Sequence, residues 1–332
     1  MYSIDRSIRI RRLSWTALVV VPFALAACGG DTAEARPAHS GTPSVTAQPP
    51  EGSAAGHMTP AGASSSTARV DRSKMTVTTA VTYENAEDVF KAGHYPEAAA
   101  MFESYVASNP GNAFGFYMLG LSTWKAGDFS RAEGAFDTAI KLDSTFVKSY
   151  FNSARVLLDM KRAPEALERI EKGLSLDSTS GDGLRLKARA LAQSGNVDSA
   201  MATYRRLLVI NDEDVWGLNN LGVLLLDSGD FQGALGPLAR VVQLKPTAPL
   251  FQNNFGMALE RSGYPVAAKH AYEAAVRDDS TFTKAVTNLR RLRGIVTDST
   301  AVDDVNPQDL AEQFRQRVKT WKDSATTGKV GR

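Results

Sequence analysis

The sequence predicts an all-α solenoid of six stacked helix pairs plus a capping helix, and three observations carry that prediction. One pattern recurs six times at a spacing of 34 residues, with no insertion or deletion. Small residues stand at Ala86, Gly120, Ala154, Ala188, Gly222 and Gly256, and alanine follows in every cycle at Ala98, Ala132, Ala166, Ala200, Ala234 and Ala268. Four positions after each alanine comes a bulky apolar residue: Phe102, Phe136, Ile170, Tyr204, Leu238 and Tyr272. A unit of this length is one helix-turn-helix, too small to bury its apolar face alone, so neighbouring units must stack.

Residues 1–27 read as a leader. Arg6, Arg9, Arg11 and Arg12 precede an apolar run from Leu13 to Ala27 that ends in Leu25-Ala26-Ala27-Cys28. A basic front, an apolar middle and small residues before the cut are the features of a secretory signal. The run is shorter than the roughly 20 residues a spanning helix needs. The cysteine directly after Leu-Ala-Ala resembles the bacterial lipobox, and Cys28 is the only cysteine in the chain. That resemblance implies cleavage before Cys28, a diacylglyceryl group on its thiol and, with Gly29 rather than aspartate next, a place on the periplasmic face of the outer membrane. Two or three acyl chains give lasting attachment where one does not.

Residues 28–78 are rich in Ala, Gly, Ser, Thr and Pro, with Pro37, Pro43, Pro49, Pro50 and Pro60. Such a composition predicts a disordered linker, and a flexible coil of this length has a root-mean-square reach of roughly 35–40 Å. Without the leader, 34 basic residues face 35 acidic ones. That balance lacks the one-signed basic surface that nucleic-acid binding demands.

The repeats are placed at 79–112, 113–146, 147–180, 181–214, 215–248 and 249–282. Within each, the small residue lets two backbones approach. Gly93, Gly127, Gly195, Gly229 and Gly263 fall seven residues later, where the first helix stops and the chain turns; Lys161 is the exception. Leu157, Leu191, Leu225 and Leu259 complete the interhelical seam with the alanine and the bulky residue. At the junctions Asp143-Ser144-Thr145, Asp177-Ser178-Thr179 and Asp279-Ser280-Thr281 the side chains are expected to cap the next helix. Residues 283–295 form the capping helix, with Val286 and Leu289 inward and Arg290, Arg291 and Arg293 outward. In the C-terminal segment, 296–332, an amphipathic helix over 307–322 is striped by Leu310, Phe314, Val318 and Trp321 and is expected to pack on the final repeat.

The repeat pattern resembles the tetratricopeptide repeat family, which implies a right-handed superhelix whose first helices line a concave binding surface. On that implied surface Asn152, Asn220, Asn254 and Asn288 share one register, with Asn219 and Asn253 beside two of them. They resemble the asparagine ladder of the O-linked N-acetylglucosamine transferase superhelix, which grips extended peptide backbones. An amide can donate to and accept from a ligand main chain at once; the same side chains can also satisfy neighbouring helices. Met118 and Leu186 interrupt the row. Lys148, Arg155, Arg185 and Arg189 share the face with Phe114, Tyr117, Trp124, Phe151 and Trp216, which suits acidic or aromatic ligands, although Asp182 and Leu186 stand where a chaperone-type carboxylate clamp has cations.

His39, His57, His94 and His270 have no metal-gathering spacing, and no enzyme motif is evident, so neither metal, cofactor nor catalysis is expected. The layout is similar to tetratricopeptide lipoproteins that serve pilus assembly, outer-membrane protein assembly or wall-hydrolase regulation. It implies a scaffold for protein or extended-peptide partners of the cell envelope. A subunit of a cell-wall enzyme and a self-associating structural lipoprotein are the alternatives.

Overall fold

In the computed structural model of the chain the described residues are 81–294, 303 and 305–327. The leader, Cys28, the whole linker, residues 79 and 80, 295–302, 304 and 328–332 lie outside them. Six helix pairs follow one another: α1 (Tyr83–Lys91) and α2 (Tyr95–Ser108), α3 (Ala113–Lys125) and α4 (Phe129–Leu142), α5 (Val147–Asp159) and α6 (Ala163–Leu176), α7 (Gly181–Gln193) and α8 (Val197–Ile210), α9 (Val215–Asp227) and α10 (Phe231–Leu244), α11 (Pro249–Arg261) and α12 (Pro265–Asp278). Helices α13 (Thr283–Arg293) and α14 (Pro307–Thr327) complete the described chain. Among the described residues there is no strand.

The repeat residues do the packing their chemistry predicts. All six repeat alanines are completely buried, and so are Phe102, Phe136, Ile170, Leu238 and Tyr272. Where the small position is glycine, the bulky residue of the same repeat fills the space a Cβ would need: Phe136 lies 2.7 Å from that point at Gly120, and Tyr272 lies 2.7 Å from it at Gly256. Of the seam leucines, Leu157, Leu225 and Leu259 are buried and Leu191 is half-buried.

Each odd-numbered helix from α1 to α11 lies backbone to backbone with the next odd-numbered one, whereas the even-numbered helices α2 to α12 stand further apart and are reached by long side chains, as where Arg131 of α4 pairs with Glu103 of α2 and Arg169 of α6 with Asp137 of α4. The first helices are therefore the inner layer of the coil and the second helices its splayed outer layer. The buried apolar residues divide into two clusters, one within repeats one and two that extends to Val156, the other running from Phe151 to α14.

The five turn glycines all adopt positive φ, between 80° and 88°, and among the described residues Lys161 is the single non-glycine residue that does so, at φ 64°. A Cβ in the left-handed region costs roughly 1–2 kcal/mol. Lys161→Gly is thus expected to stabilise the protein by about 1 kcal/mol, read as a raised urea midpoint at unchanged m-value.

Three expectations need correction. The junction aspartates do not cap the following helix. Asp143 Oδ1 accepts from the Thr145 amide (2.9 Å) and hydroxyl (2.7 Å), and Asp279 treats Thr281 in the same way. The Asp and the Thr two residues on close a local turn that satisfies the carboxylate before the helix begins. Where a cap exists, later residues supply it, Ser180 for α7 and Asp214 for α9. In α13 the inward residues are Ala285, Leu289 and Leu292, with Val286 half-buried.

Helix α14 extends to Thr327 and does not seat on the last repeat. It crosses the outer layer onto α10 and α8, burying Ala311, Phe314 and Val318. The reason lies in α10, where Gly236 lets the Phe314 side chain come within 3.0 Å of where a Cβ would stand. At the far end Lys322 pairs with Asp212 at 3.1 Å and Arg205 lies over the Trp321 ring. The strap that leads into α14 is pinned by Asp303, whose Oδ2 accepts from the Ala267 amide at 2.7 Å. That bond caps α12, whose own N-cap, Tyr264, offers no side-chain acceptor.

Candidate functional site

The first helices are joined to one another by polar side chains, and these bonds sort the sequence-derived site residues into groups. In the C-terminal half the asparagines bond to each other. Asn288 Nδ2 donates to Asn253 Oδ1 (3.0 Å), Asn253 Nδ2 to Asn254 Oδ1 (3.4 Å), Asn254 Nδ2 to Asn219 Oδ1 (2.9 Å) and Asn219 Nδ2 to Asn220 Oδ1 (3.1 Å). Asn220 also meets the buried Tyr204 hydroxyl. Asn219, Asn253 and Asn254 are at most 2% exposed. The row implied as a grip on ligand backbone is here a relay that knits α9, α11 and α13, because each amide meets, across a tight helix interface, the asparagine just before its own counterpart one repeat earlier. Asn254→Ala should cost about 1–3 kcal/mol, since it leaves the Asn219 carbonyl without its donor and the Asn253 amide without its acceptor in a dry seam; a thermal melt of the variant reads this.

The cations are mostly paired. Arg185 Nη1 donates to Asp214 Oδ2 at 2.6 Å and Arg189 Nη2 to Asp159 Oδ1 at 3.0 Å. Trp124 Nε1 donates to the other oxygen of the same Asp159, at 3.0 Å, which ties the second, third and fourth repeats together. Trp216 is half-buried and meets Phe251 edge-on at a centroid distance of 5.4 Å. These residues act within the scaffold. Their acidic partners Asp159, Asp182 and Asp214 lie 27 to 30 positions from the arginines, a spacing just short of one repeat that could have revealed them.

One open site gathers five of the expected residues. Tyr117, Lys148, Phe151, Asn152 and Arg155, with Asp182, line a cavity of about 190 Å³ where α3, α5 and α7 meet, at the boundary between the two apolar clusters. Asn152 Nδ2 donates to the Tyr117 hydroxyl at 2.9 Å, Arg155 Nη1 donates to Asn152 Oδ1 at 2.7 Å, and Arg155 Nη2 pairs with Asp182. Burial pushes the Tyr117 phenol up, against the opposing field of Arg155, so it stays protonated. Phe151, although it lines the cavity, is chiefly a core residue: its ring occupies the space beside Gly173 and Gly183. Beside the cavity an aromatic shelf begins. Phe114 stacks on Tyr117 at 5.6 Å and meets Tyr83 and Phe146, yet remains 47% exposed.

Among the described residues no cluster of metal-ligating side chains occurs, and no helix is long and apolar enough to cross a membrane. A coil of stacked helix pairs with a polar inner layer and a cavity on it defines a repeat scaffold of the kind that mediates protein–protein interaction. Four overlapping segments, 83–145, 117–181, 151–215 and 186–249, match the tetratricopeptide repeat. The chain belongs to the tetratricopeptide repeat family.

It is similar to Stress-induced-phosphoprotein 1 of Caenorhabditis elegans, 32% identical over 169 residues that make up 48% of this chain and 50% of that protein. It is also similar to Protein O-mannosyl-transferase TMTC3 of Homo sapiens, 26% identical over 167 residues, 50% of this chain and 18% of the other. The chain thus spans half or less of the length of these relatives. A tetratricopeptide repeat protein from Parabacteroides merdae ATCC 43184 shares the fold with a TM-score of 0.55 at 12% identity, over 72% of this chain and 91% of that one.

Proposed function

We propose that the protein is a lipid-anchored periplasmic scaffold whose inner layer, in repeats two to four, holds a protein or extended-peptide partner of the cell envelope. The observation that carries the binding half is the cavity at α3, α5 and α7, a polar opening on the inner layer of a repeat scaffold whose C-terminal asparagines are bonded to one another. Sequence alone supports the address, through the leader and the lone Cys28 that would carry the acyl chains. The linker would let the coil stand off the membrane it is tied to. Assembly of an envelope complex of pilus, secretion or outer-membrane type is the role that suits this layout.

Both halves are testable in a bacterial host. Labelling with a clickable palmitate analogue should mark the wild-type chain and leave Cys28→Ala unmarked and released from the membrane fraction; equal labelling of the two removes the anchor. A photo-crosslinking residue at Lys148 should capture a discrete envelope protein, while the same probe at exposed Lys172 on outer helix α6 should not. Indistinguishable capture from both positions would remove the inner-face reading.

A further inference from the structure

The outer layer carries a larger cavity, of about 350 Å³, where α10, α11 and α12 meet the start of α14 and the residues just before it. Phe255 and Leu259 of the inner helix α11 form its floor, Val242 of α10 and Val266 and Ala271 of α12 its walls, and Val305 lies along the remaining side. Its existence follows from the spacing of the second helices, which leaves a groove between each adjacent pair. Between α8 and α10 that groove is filled by α14, with Phe314 buried in it. Between α4 and α6 it is lined by charged side chains, and Arg162 pairs there with Glu133 and Glu165. Between α10 and α12 the walls are apolar, and the beginning of α14 covers them in part.

The polar groups of this cavity lack donors. Gln252 Nε2 donates to the Pro246 carbonyl at 2.8 Å, which leaves its Oε1 with no donor among the described residues although Gln252 is only 8% exposed. Asp303 Oδ2 accepts from the Ala267 amide, while Oδ1 accepts from no described residue and no described cation pairs with the carboxylate. His270 stands at the rim, also without a described partner, and a ring nitrogen can accept there. Neither lysine nor arginine is among the described residues that line the cavity. One surplus negative charge and several acceptors therefore face an apolar floor.

We infer that this outer-layer cavity binds an ammonium group carried on an apolar body of about one aromatic ring. An ammonium offers three donors from a single atom, one each for a carboxylate oxygen, an amide oxygen and a ring nitrogen. A charge-assisted bond to Asp303 is the strongest of these. The body has room: an apolar cavity of about 150 Å³ accepts benzene, so the volume here holds a ring and a short polar head. The same chemistry comes from a free amine or from the amino end of a peptide whose first side chain is aromatic.

Ligand-observed NMR titration of the purified full chain tests this with four probes: 2-phenylethylamine, 2-phenylethanol, the peptide Phe-Gly-Ser-Gly amide with a free amino end, and the same peptide N-acetylated. At least one ammonium should bind about tenfold more tightly than its neutral counterpart, and which one does so identifies the source. Asp303→Asn keeps an acceptor for the Ala267 amide, so it should erase that advantage and leave the affinity of the neutral probes unchanged. Ala271→Leu and Val242→Phe fill the cavity from opposite walls, and each should remove binding of all four probes, with circular dichroism showing which variants are folded. Ammonium and neutral probes binding alike, an advantage that survives Asp303→Asn, binding unchanged in a folded cavity-filling variant, or no binding by any probe would each overturn the site. None of these results bears on the Tyr117 cavity, so the inner-layer reading stands or falls on its own cross-linking test.

Discussion

Phe136→Ala is expected to cost about 3–5 kcal/mol and to unfold the first two repeats ahead of the others. Its side chain is fully buried in the smaller apolar cluster, against the open face of Gly120 and 5.9 Å from the Tyr117 ring. Glycine at that position cannot grow to fill the void, so collapse would require helices α3 and α4 to move together. Stability in a solenoid is a sum of repeat terms and nearest-neighbour interfaces, so a loss this large in an end unit is not shared with repeats five and six. Urea titration should therefore split into two transitions. Trp124, whose indole nitrogen donates to Asp159 across the second and third repeats, reports the early one, and far-UV circular dichroism reports both. A single transition at the wild-type midpoint would mean that the glycine-ring contact does not hold repeat two together.

The parts of this fold legible in the sequence are those where one side chain has one available role. A completely buried alanine at each 34-residue step, or a glycine forced to positive φ in a turn, leaves its mark wherever the unit recurs, and even the exception at Lys161 stands in the left-handed region the register assigned it. Polar residues have several roles open to them, and sequence spacing does not choose between these. Asn254 reads equally well as a ligand donor or as a partner of Asn219; the choice depends on how closely α9 and α11 approach, which is set by packing elsewhere. The arginines looked like free cations because their shortest pairs, Arg155 with Asp182, Arg185 with Asp214 and Arg189 with Asp159, reach across to an adjacent repeat, Arg185 alone meeting a second acid, Asp182, on its own turn. Asp143 was misread for a related reason: a threonine two residues away outcompetes the helix amides beyond it. Only where the partners were themselves on the inner layer, as with Tyr117 and Asn152, did shared face translate into shared site.

The seat of α14 was the least legible element, since amphipathic spacing gives a helix its apolar face but not the surface that face meets. The structure puts that surface on α10, and Phe314→Ala should release it. The ring is 3% exposed and lies on Gly236, flanked by Ala311 and Val318, which are also buried. Truncation should remove about 3–4 kcal/mol of docking energy. What remains is the smaller burial of Ala311 and Val318 with partly buried Leu310, one partly exposed ion pair, Lys322 with Asp212, the Arg205–Trp321 contact and the Asp303 cap. An exposed pair is worth at most about 1 kcal/mol, so these are too few to hold a helix that gains little stability in isolation. Undocking should shift Trp321 emission to the red and strip α14 amides of hydrogen-exchange protection, with protection in α3 to α9 unchanged. The exposed α10 face would then favour self-association, measurable by sedimentation. Retained protection in α14 would show that the helix is held by its polar edge and not by the ring.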